Sequence, residues 1–380
     1  MHFAHQTGLD SDLPTRRYLW TDAFAVCNFL GLARATGDAR YQELALRLVD
    51  RVHHDLGRHR ADDRGRTGWL SGLPDAEAEE HPTRGGLRIG KPLPERAATE
   101  PMDPDLEWDR DGQYFHYLTR WMHALDQVAR ATGQPKFNLW ARELAQVAHR
   151  AFTHGPPGWM GMVWKLSIDL SRPLVPTMGQ HDPLDGFVTC TQLETTATLL
   201  PRTTGPSLVE EAEDFARIID RGALATSDPL GLGGLLVDAN RLVQLGAEPL
   251  LTASLLAGAR VGLRRYRAEP HLGQPADFRL AFRELGLSIG LAAVERMRDG
   301  ENARRLDASG AASLTAIASH LSMRDEIESF WLLPAHRRTA PWLGHADINE
   351  VMLATSLVPE GFLVLATPAH SNATSTSAHI

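Results

Sequence analysis

The chain has 380 residues, of which 43% are hydrophobic and 23% are charged. This composition is typical of a globular protein with a large core. The formal net charge of -8, without any cluster rich in lysine and arginine, excludes a polyanion-binding surface, so we expect no nucleic-acid partner.

The cysteines and the hydropathy pattern exclude further classes. Cys27 and Cys190, the two cysteines, both lie in apolar stretches, which excludes a disulfide framework and a cysteine-built zinc site. No apolar run approaches the roughly 18 residues of a membrane span, and the amino terminus lacks the basic and apolar regions of a signal peptide. We therefore expect a soluble, cytoplasmic protein without a membrane partner.

A repeated pentapeptide predicts the first structural units. ARATG occurs at Ala33–Gly37 and again at Ala129–Gly133. Each copy ends an apolar helical run and precedes an amphipathic one, with apolar residues at i, i+3/i+4 and i+7. The glycines fit as C-terminal caps that reverse the chain. The unit is therefore a helical hairpin.

Weaker copies of this hairpin follow along the chain, at about 189–220, 233–266 and 280–321, and 346–357 supplies a sixth apolar helix. Helices that are apolar all round fit an inner ring, and amphipathic helices fit an outer ring. We predict an all-α fold, an (α/α)6 toroid, as a single domain over residues 1–360 with a flexible C-terminal tail at 361–380. A solenoid of helical repeats is the alternative, but its repeats would be shorter and more regular.

Two long connections interrupt the hairpins. The first is an insertion at about 60–112, rich in glycine, proline and charge, and the second runs from 154 to 187. Connections of this length are typical of lids and binding loops. Both precede an inner helix, so we expect them on the same rim of the toroid. Strand-like runs are short, at 161–168 and 361–367.

Acidic and aromatic residues recur before the inner helices, where a toroid has its mouth. Indole faces stack on sugar rings, and carboxylates accept hydrogen bonds from hydroxyls. Cleavage of a glycosidic bond requires two carboxyl groups, one protonated and one ionised. The catalytic candidates are Glu107, Asp109, Asp111, Asp182, Asp185 and His181. The substrate-binding candidates are Trp20, Asp22, Trp108, His116, Trp164, Lys165 and His345.

The acids before the second inner helix have both a catalytic and a structural interpretation. Glu107, Asp109 and Asp111 alternate with other residues, so in an extended loop they share one face and raise one another's pKa. Acids before a helix also cap it, and Asp111 is the best placed cap. Asp22 fits both as a cap and as a substrate ligand.

His181, Asp182 and Asp185 bracket a proline turn ahead of the third inner helix. A histidine beside two acids can shuttle protons or bind a metal, but a turn explains the same pattern. We assign no metal or cofactor.

Three further charged residues stand out by their surroundings. Asp238 and Glu284 lie within apolar inner helices, where a carboxylate needs a partner or a wet cavity. Lys165 is one of three lysines among 39 basic residues, so its compact ammonium group is expected to bind a hydroxyl or to pair with an acid.

The hairpin spacing, the ATGD-R-Y turn at Thr36–Tyr41 and the acidic and aromatic loops resemble the six-hairpin glycosidase-like superfamily. The resemblance covers residues 18 to 358 and is one of architecture. It implies a carbohydrate-active enzyme with its site at the toroid mouth, foremost a glycoside hydrolase acting on a small-molecule or oligosaccharide substrate.

Two alternatives remain. The similar toroids of the N-acylglucosamine 2-epimerases imply a sugar epimerase or isomerase that uses histidines as acid and base, here His116, His181 and His345. The third interpretation is a non-catalytic binding or scaffold protein whose acids only cap helices.

Overall fold

The computed structural model describes residues 1–156, 160–201 and 204–368. The helices are α1 (His2–Gln6), α2 (Leu19–Thr36), α3 (Ala39–Leu56), α4 (Asp75–Glu80), α5 (Pro104–Glu107), α6 (Phe115–Thr132), α7 (Pro135–Phe152), α8 (Asp182–Leu199), α9 (Val209–Ile218), α10 (Pro229–Leu245), α11 (Pro249–Ala268), α12 (Ala281–Met297), α13 (Gly300–Arg304), α14 (Ala308–Ala318), α15 (Ser322–Leu332), α16 (Ala340–Leu343), α17 (Ala346–Leu357) and α18 (Glu360–Leu363). The strands are β1 (Gln113–Tyr114), β2 (Thr153–His154), β3 (Gly161–Met162), β4 (Lys165–Leu166) and β5 (Pro173–Val175).

The inner helices form a closed ring. Within the described residues, α2, α6, α8, α10, α12 and α17 pack side by side in this order, and α17 returns to α2. Helices α3, α7, α9 and α11 pack outside their hairpin partners, and α14 packs against α11 and α12. The predicted (α/α)6 toroid is confirmed, and the inner helices begin at one common rim, the mouth.

Local sequence explains where the helices begin and end. Gly37 and Gly133 adopt the left-handed conformation after α2 and α6, with φ of 70° and 68°, as predicted for C-terminal caps. Asp228 caps α10 by accepting a hydrogen bond from the Gly231 backbone. Helices α10 and α12 lie so close that a Cβ at Gly233 would collide with the Gly286 carbonyl oxygen.

The predicted turn before the third inner helix is wrong. Asp182 to Gly186 form the first turn of α8, with Pro183 at its start. Proline is tolerated there because the first N–H groups of a helix have no intrahelical partner. Asp182 and Asp185 consequently lie on one helix at the mouth.

The two long connections meet in a small antiparallel sheet with the order β1-β4-β5. Gln113 pairs with Leu166, and Lys165 pairs with both Tyr114 and Val175. Strands β2 and β3 form a separate pair. The expected local pairing in the run at 161–168 is therefore confirmed, and it fixes the loops beside the start of α6.

The C-terminal segment closes the barrel at the end opposite to the mouth. Helix α18 packs against α2, α6 and α10. His123 Nε2 lies 2.9 Å from the Phe362 carbonyl oxygen, and Gln244 donates to the Leu363 carbonyl oxygen at 2.8 Å. The flexible tail predicted from residue 361 is thus corrected for 361–366, and the run at 361–367 forms no strand. Residues 369–380 of the predicted tail lie outside the described residues.

Over the three described ranges, the structure contains no helix of sufficient length and hydropathy to cross a bilayer.

Candidate active site at the barrel mouth

An aromatic wall leads from the loops towards the barrel. Trp108 is 58% exposed, and its ring centroid lies 5.6 Å from that of Trp164. Trp164 in turn lies 4.8 Å from Tyr114, the residue that immediately precedes α6. Both tryptophans were predicted to bind substrate, and the structure places them together on the mouth side of the small sheet.

The wall continues into the barrel through the first turns of α2 and α6. The ring of Trp20 lies 5.2 Å from Tyr117 and 5.9 Å from His116. The predicted meeting of Trp20 and His116 at one mouth is therefore observed. Tyr117 also reaches Tyr18, and their hydroxyl oxygens are 2.6 Å apart.

Several polar atoms of this wall have no hydrogen-bond partner among the residues that the structure describes. Trp20 Nε1 and the Tyr114 hydroxyl are buried without a hydrogen bond, and the His116 ring forms none that the described residues record. Burial lowers the pKa of His116 to about 4, so its imidazole is neutral at pH 7 and can donate or accept. A buried donor without an acceptor destabilises the folded protein unless a ligand or water accepts its hydrogen bond.

A cluster of carboxylates and arginines lies next to this wall. Asp185 binds Arg120, whose Nη2 is 2.9 Å and 3.1 Å from the two carboxylate oxygens. Asp238 lies 3.1 Å from Arg241 Nη1 and donates a hydrogen bond to Asp185. The expectation that Asp238 needs a partner is confirmed, as it is for Glu284, which pairs with Arg279 at 2.6 Å.

The surroundings separate the pKa values of these acids. Burial, reinforced by the charge of Asp185, raises the pKa of Asp182 to about 7 and that of Asp238 to about 7. Burial also acts on Asp185, but Arg120 and the hydrogen bond from Asp238 outweigh it and lower the Asp185 pKa. Near neutral pH the cluster therefore holds protonated and ionised carboxyl groups side by side.

Two cavities adjoin this region. A narrow axial pocket of about 60 Å³ is lined by Trp20, Arg120, Val237, Met352 and Phe362. A larger rim cavity of about 1020 Å³ lies between the segment before α2, the end of α3 and the start of α17. Tyr18 lines the rim cavity and, through Tyr117, connects it with the mouth.

The predicted common face of Glu107, Asp109 and Asp111 is not formed. Glu107 ends the short helix α5 rather than an extended segment, and its carboxylate pairs with Lys165 at 2.7 Å and Arg96 at 3.0 Å. Lys165 Nζ also donates to the Glu107 carbonyl oxygen. This buried pair stabilises the loop, so Lys165 meets an acid rather than the open mouth.

Asp111 does not cap α6, because Tyr114 occupies the N-cap position. Its carboxylate is fully buried and accepts hydrogen bonds from Arg88 at 2.6 Å, Arg60 at 3.2 Å and the Gly90 backbone at 3.0 Å. Asp111 therefore fixes the insertion in place. Asp109 alone of the three predicted acids is exposed, and it lines the rim cavity.

The remaining candidates are spread around the rim. Asp22 accepts from the Tyr18 backbone at 3.0 Å and from Arg17 at 3.1 Å, so its oxygens serve the start of α2. His181 Nε2 lies 3.0 Å from the Leu224 carbonyl oxygen. His345 occupies the N-cap position before α17 and lines the rim cavity.

By sequence pattern, the histidines are candidates for a paired acid and base, and His181 with its neighbouring acids for metal ligands. No hydrogen bond or ring contact joins His116, His181 and His345 in the described part of the chain. The same described ranges contain no group of three or more histidine, cysteine, aspartate or glutamate residues placed to bind a metal ion.

Arg120 and Tyr117, which follow His116 on α6, were not among the site residues predicted from the sequence. Helical spacing could have indicated them, because positions 116, 117 and 120 lie on one face of a helix that begins at Phe115. Asp238 was noticed as a buried acid but not placed beside Asp185. That contact joins α8 to α10 across a long sequence separation, which a one-dimensional pattern does not reveal.

Comparison with known proteins gives structural matches only. No protein-family model matches the chain, and no curated protein matches it significantly. An α-mannanase of family GH76 from Bacteroides thetaiotaomicron shares 8% identity over 90% of this chain and 86% of that chain, with a TM-score of 0.51. The chain has the six-hairpin toroid fold. This match confirms the predicted resemblance at the level of architecture.

Two weaker matches are to sugar-converting enzymes. A sugar epimerase from a ruminal bacterium matches the toroid with a TM-score of 0.49 and 10% identity over 92% of this chain and 90% of that chain. A D-mannose isomerase matches with a TM-score of 0.48 and 12% identity over 88% and 86% of the two chains.

Proposed function

We propose that this toroid is a carbohydrate-active enzyme, specifically a glycoside hydrolase whose acid and base lie at the start of α8. The observation that carries the proposal is the acid cluster beside the aromatic wall. Burial and mutual repulsion raise the pKa of Asp182 to about 7, whereas Asp185 stays ionised against Arg120. A protonated and an ionised carboxyl group near one sugar-stacking wall are the two components that glycosidic cleavage requires.

Each group has a distinct role in this proposal. Asp182, in the first turn of α8, protonates the departing glycosidic oxygen. Asp185 acts as the ionised base or nucleophile, and Arg120 positions it. Asp238 donates a hydrogen bond to Asp185 and so tunes its basicity without touching the sugar.

The aromatic residues supply binding and orientation. Trp20 and Trp164 present ring faces to the C–H faces of a pyranose. Trp20 Nε1, which is buried without a hydrogen bond, and the neutral His116 ring are available to sugar hydroxyls, which would satisfy them. Binding energy gathered along this wall would hold the glycosidic bond near the acids.

A sugar isomerase or epimerase is the second candidate, and one observation favours it. His116 is neutral at pH 7 because burial lowers its pKa to about 4, and it lies close enough to Asp185 for their charges to interact. A neutral imidazole beside a carboxylate is suited to moving a proton on a sugar carbon. No hydrogen bond or ring contact joins His116 to His181 or His345 in the described part of the chain, whereas Asp182 and Asp185 share the first turn of α8, so hydrolysis is the first proposal.

Substitutions at the acids test the proposal. Purified wild type is assayed against 4-nitrophenyl α- and β-glycosides, including α-mannosides because the α-mannanase shares the fold. We expect Asp182→Asn and Asp185→Asn to lower kcat/KM by about 10²–10⁴-fold. The exposed Asp277→Asn is the matched control. Full activity in both folded active-site variants would refute the hydrolase.

The second candidate is measured in parallel. Incubation with free glucose and mannose, followed by proton NMR, detects interconversion of the two sugars. Interconversion that depends on His116 and not on Asp182, without cleavage of any glycoside, would replace the first proposal by the second.

A further inference from the structure

The rim cavity differs from an ordinary surface depression in its size and walls. Its volume of about 1020 Å³ reaches the upper end of the range for small-molecule sites, about 300–1,000 Å³. Five separate parts of the chain build it, namely the segment before α2, the end of α3, residues 88–92, Asp109 and the start of α17. The space exceeds what a single sugar ring fills.

The cavity is lined by polar groups that the rest of the protein leaves unused. In the ranges that the structure describes, the carboxylates of Asp55 and Asp109 and the ammonium group of Lys91 form no hydrogen bond or ion pair within the protein. His59 Nδ1 is buried without a partner in the same ranges, and the His345 ring packs edge to face against Phe282, with the ring centroids 5.4 Å apart. These five side chains line one cavity that is open to solvent.

Two arginines of the same wall bind partners within the protein. Arg88 lines the cavity but donates to Asp111 and to the Asp55 and Arg58 carbonyl oxygens. Arg17 binds Asp22 at 3.1 Å. These two guanidinium groups therefore serve the protein's own structure, whereas Asp55, Asp109 and Lys91 have no such partners in the described ranges.

The chemistry of this set matches an uncharged, polyhydroxylated ligand. Two carboxylates accept hydrogen bonds, the Lys91 ammonium donates them, and each imidazole can do either. Acids and base are present together, so neither a strongly anionic nor a strongly cationic ligand is favoured. Lys91 Nζ lies 5.3 Å above the Tyr18 ring, which adds an aromatic face to the wall.

The cavity adjoins the aromatic wall of the mouth through two residues. Tyr18 lines the cavity, and its hydroxyl lies 2.6 Å from that of Tyr117, which contacts Trp20. Asp109 lines the cavity, and its neighbour Trp108 begins the aromatic wall. Tyr18 and Asp109 thus place the cavity beside the aromatic wall.

We propose that the rim cavity binds the sugar units of an uncharged oligosaccharide that lie beyond the unit held at the barrel mouth. This inference rests on the proposed function and deepens it, because it identifies an oligosaccharide rather than a single sugar as the substrate. Lys91, Asp55 and Asp109 hold the outer units, and the acids on α8 act on the bond at the mouth.

Calorimetric titration of the purified protein tests the proposal. The probes are mannotetraose, maltotetraose and cellotetraose, with mannose and glucose as single rings. We expect at least one tetrasaccharide to bind wild type about tenfold more tightly than its single sugar. Lys91→Met and Asp109→Asn should each remove most of that advantage and leave single-sugar binding unchanged, because each deletes about one charge-assisted hydrogen bond.

Matched controls separate the cavity from general effects of charge. Lys136→Met and Asp277→Asn remove the same charges at exposed positions outside the cavity, and they should leave every affinity unchanged. Thermal melting of each variant verifies folding. Asp55→Asn provides a second acid variant if Asp109→Asn proves unstable.

Three outcomes would overturn the proposal: no tetrasaccharide binds more tightly than its single sugar, the cavity variants keep the full advantage, or they weaken single sugars equally. Since binding needs no cleavage, its failure is distinct from that of the hydrolase. Tetrasaccharide binding without cleavage of any glycoside refutes only the hydrolase, and glycoside cleavage without the tetrasaccharide advantage refutes only the cavity proposal.

Discussion

The barrel centre and the rim cavity are both rich in charge, but they differ in how that charge is satisfied. At the centre, Asp185 and Asp238 are bound to Arg120 and Arg241 and to one another. In the rim cavity, Asp55, Asp109 and Lys91 have no such partner within the described residues. The first arrangement fixes protonation states, whereas the second leaves hydrogen-bonding groups free.

The two arrangements suit different tasks. A buried carboxyl group next to another carboxylate keeps its proton near neutral pH, and general acid catalysis requires such a proton. An unpaired carboxylate facing a roomy cavity stays hydrated and accepts a ligand hydroxyl at little cost. This contrast supports the proposals of chemistry at the centre and of ligand binding at the rim.

Removal of Arg120 should produce the largest effect. Arg120→Met leaves the Asp185 carboxylate buried without its cation, and breaking a buried pair in this way costs about 3–5 kcal/mol. We expect that loss in the free energy of urea unfolding, together with loss of hydrolysis. Arg304→Met, at an exposed arginine, is the control. A variant as stable as wild type would show that the central network is not a buried ion pair.

Neutralisation of Asp182 should have a smaller effect on stability, of opposite sign. The folded pKa of Asp182 is about 7, above the ordinary value near 3.9, so the protonated form favours folding. This contribution is full below about pH 4 and is lost as the pH rises through about 7. Asparagine does not ionise, so Asp182→Asn should have a higher Tm than wild type at pH 8.5, by about 2–4 °C.

The same variant separates stability from activity. At pH 5 the two melting temperatures should lie closer together, while the variant remains deficient in hydrolysis at both pH values. A Tm difference that does not change with pH would mean that Asp182 is ionised throughout, contrary to its assigned role as the acid.

Changes at the rim should affect stability least. Asp109 is exposed and unpaired, so Asp109→Asn should change the free energy of unfolding by no more than about 0.5 kcal/mol. Urea unfolding beside Asp277→Asn provides the measurement. A loss of 2 kcal/mol or more would place Asp109 in a structural network like that of Asp111 and remove the contrast between the two regions.

The sequence predicted the ring of hairpins well, because helical periodicity and the capping glycines are local signals. Gly37 and Gly133 end α2 and α6 as expected. It predicted the insertion poorly, because Asp111 and Glu107 find their partners, Arg88 and Lys165, through tertiary contacts. Alternation along an extended strand was the wrong assumption for a segment that contains the short helix α5.

The site was predicted in part for the same reason. Trp20, His116, Asp182 and Asp185 lie at the starts of inner helices, and helix order alone brings them to one mouth. The pairing of Asp185 with Asp238, and the placement of Lys91 and Asp55 in one cavity, depend on how distant elements pack. No pattern within a single segment contains that information.

The proposed hydrolysis requires that carboxyl groups at the barrel centre keep their protons near neutral pH. Carbon-13 NMR titration of the aspartate carboxyl groups measures this directly, with Asp182→Asn and Asp238→Asn used to assign the signals. We predict that each substitution removes a carboxyl signal that titrates near pH 7. Titration of both groups below pH 5 would contradict the proposed acid and base.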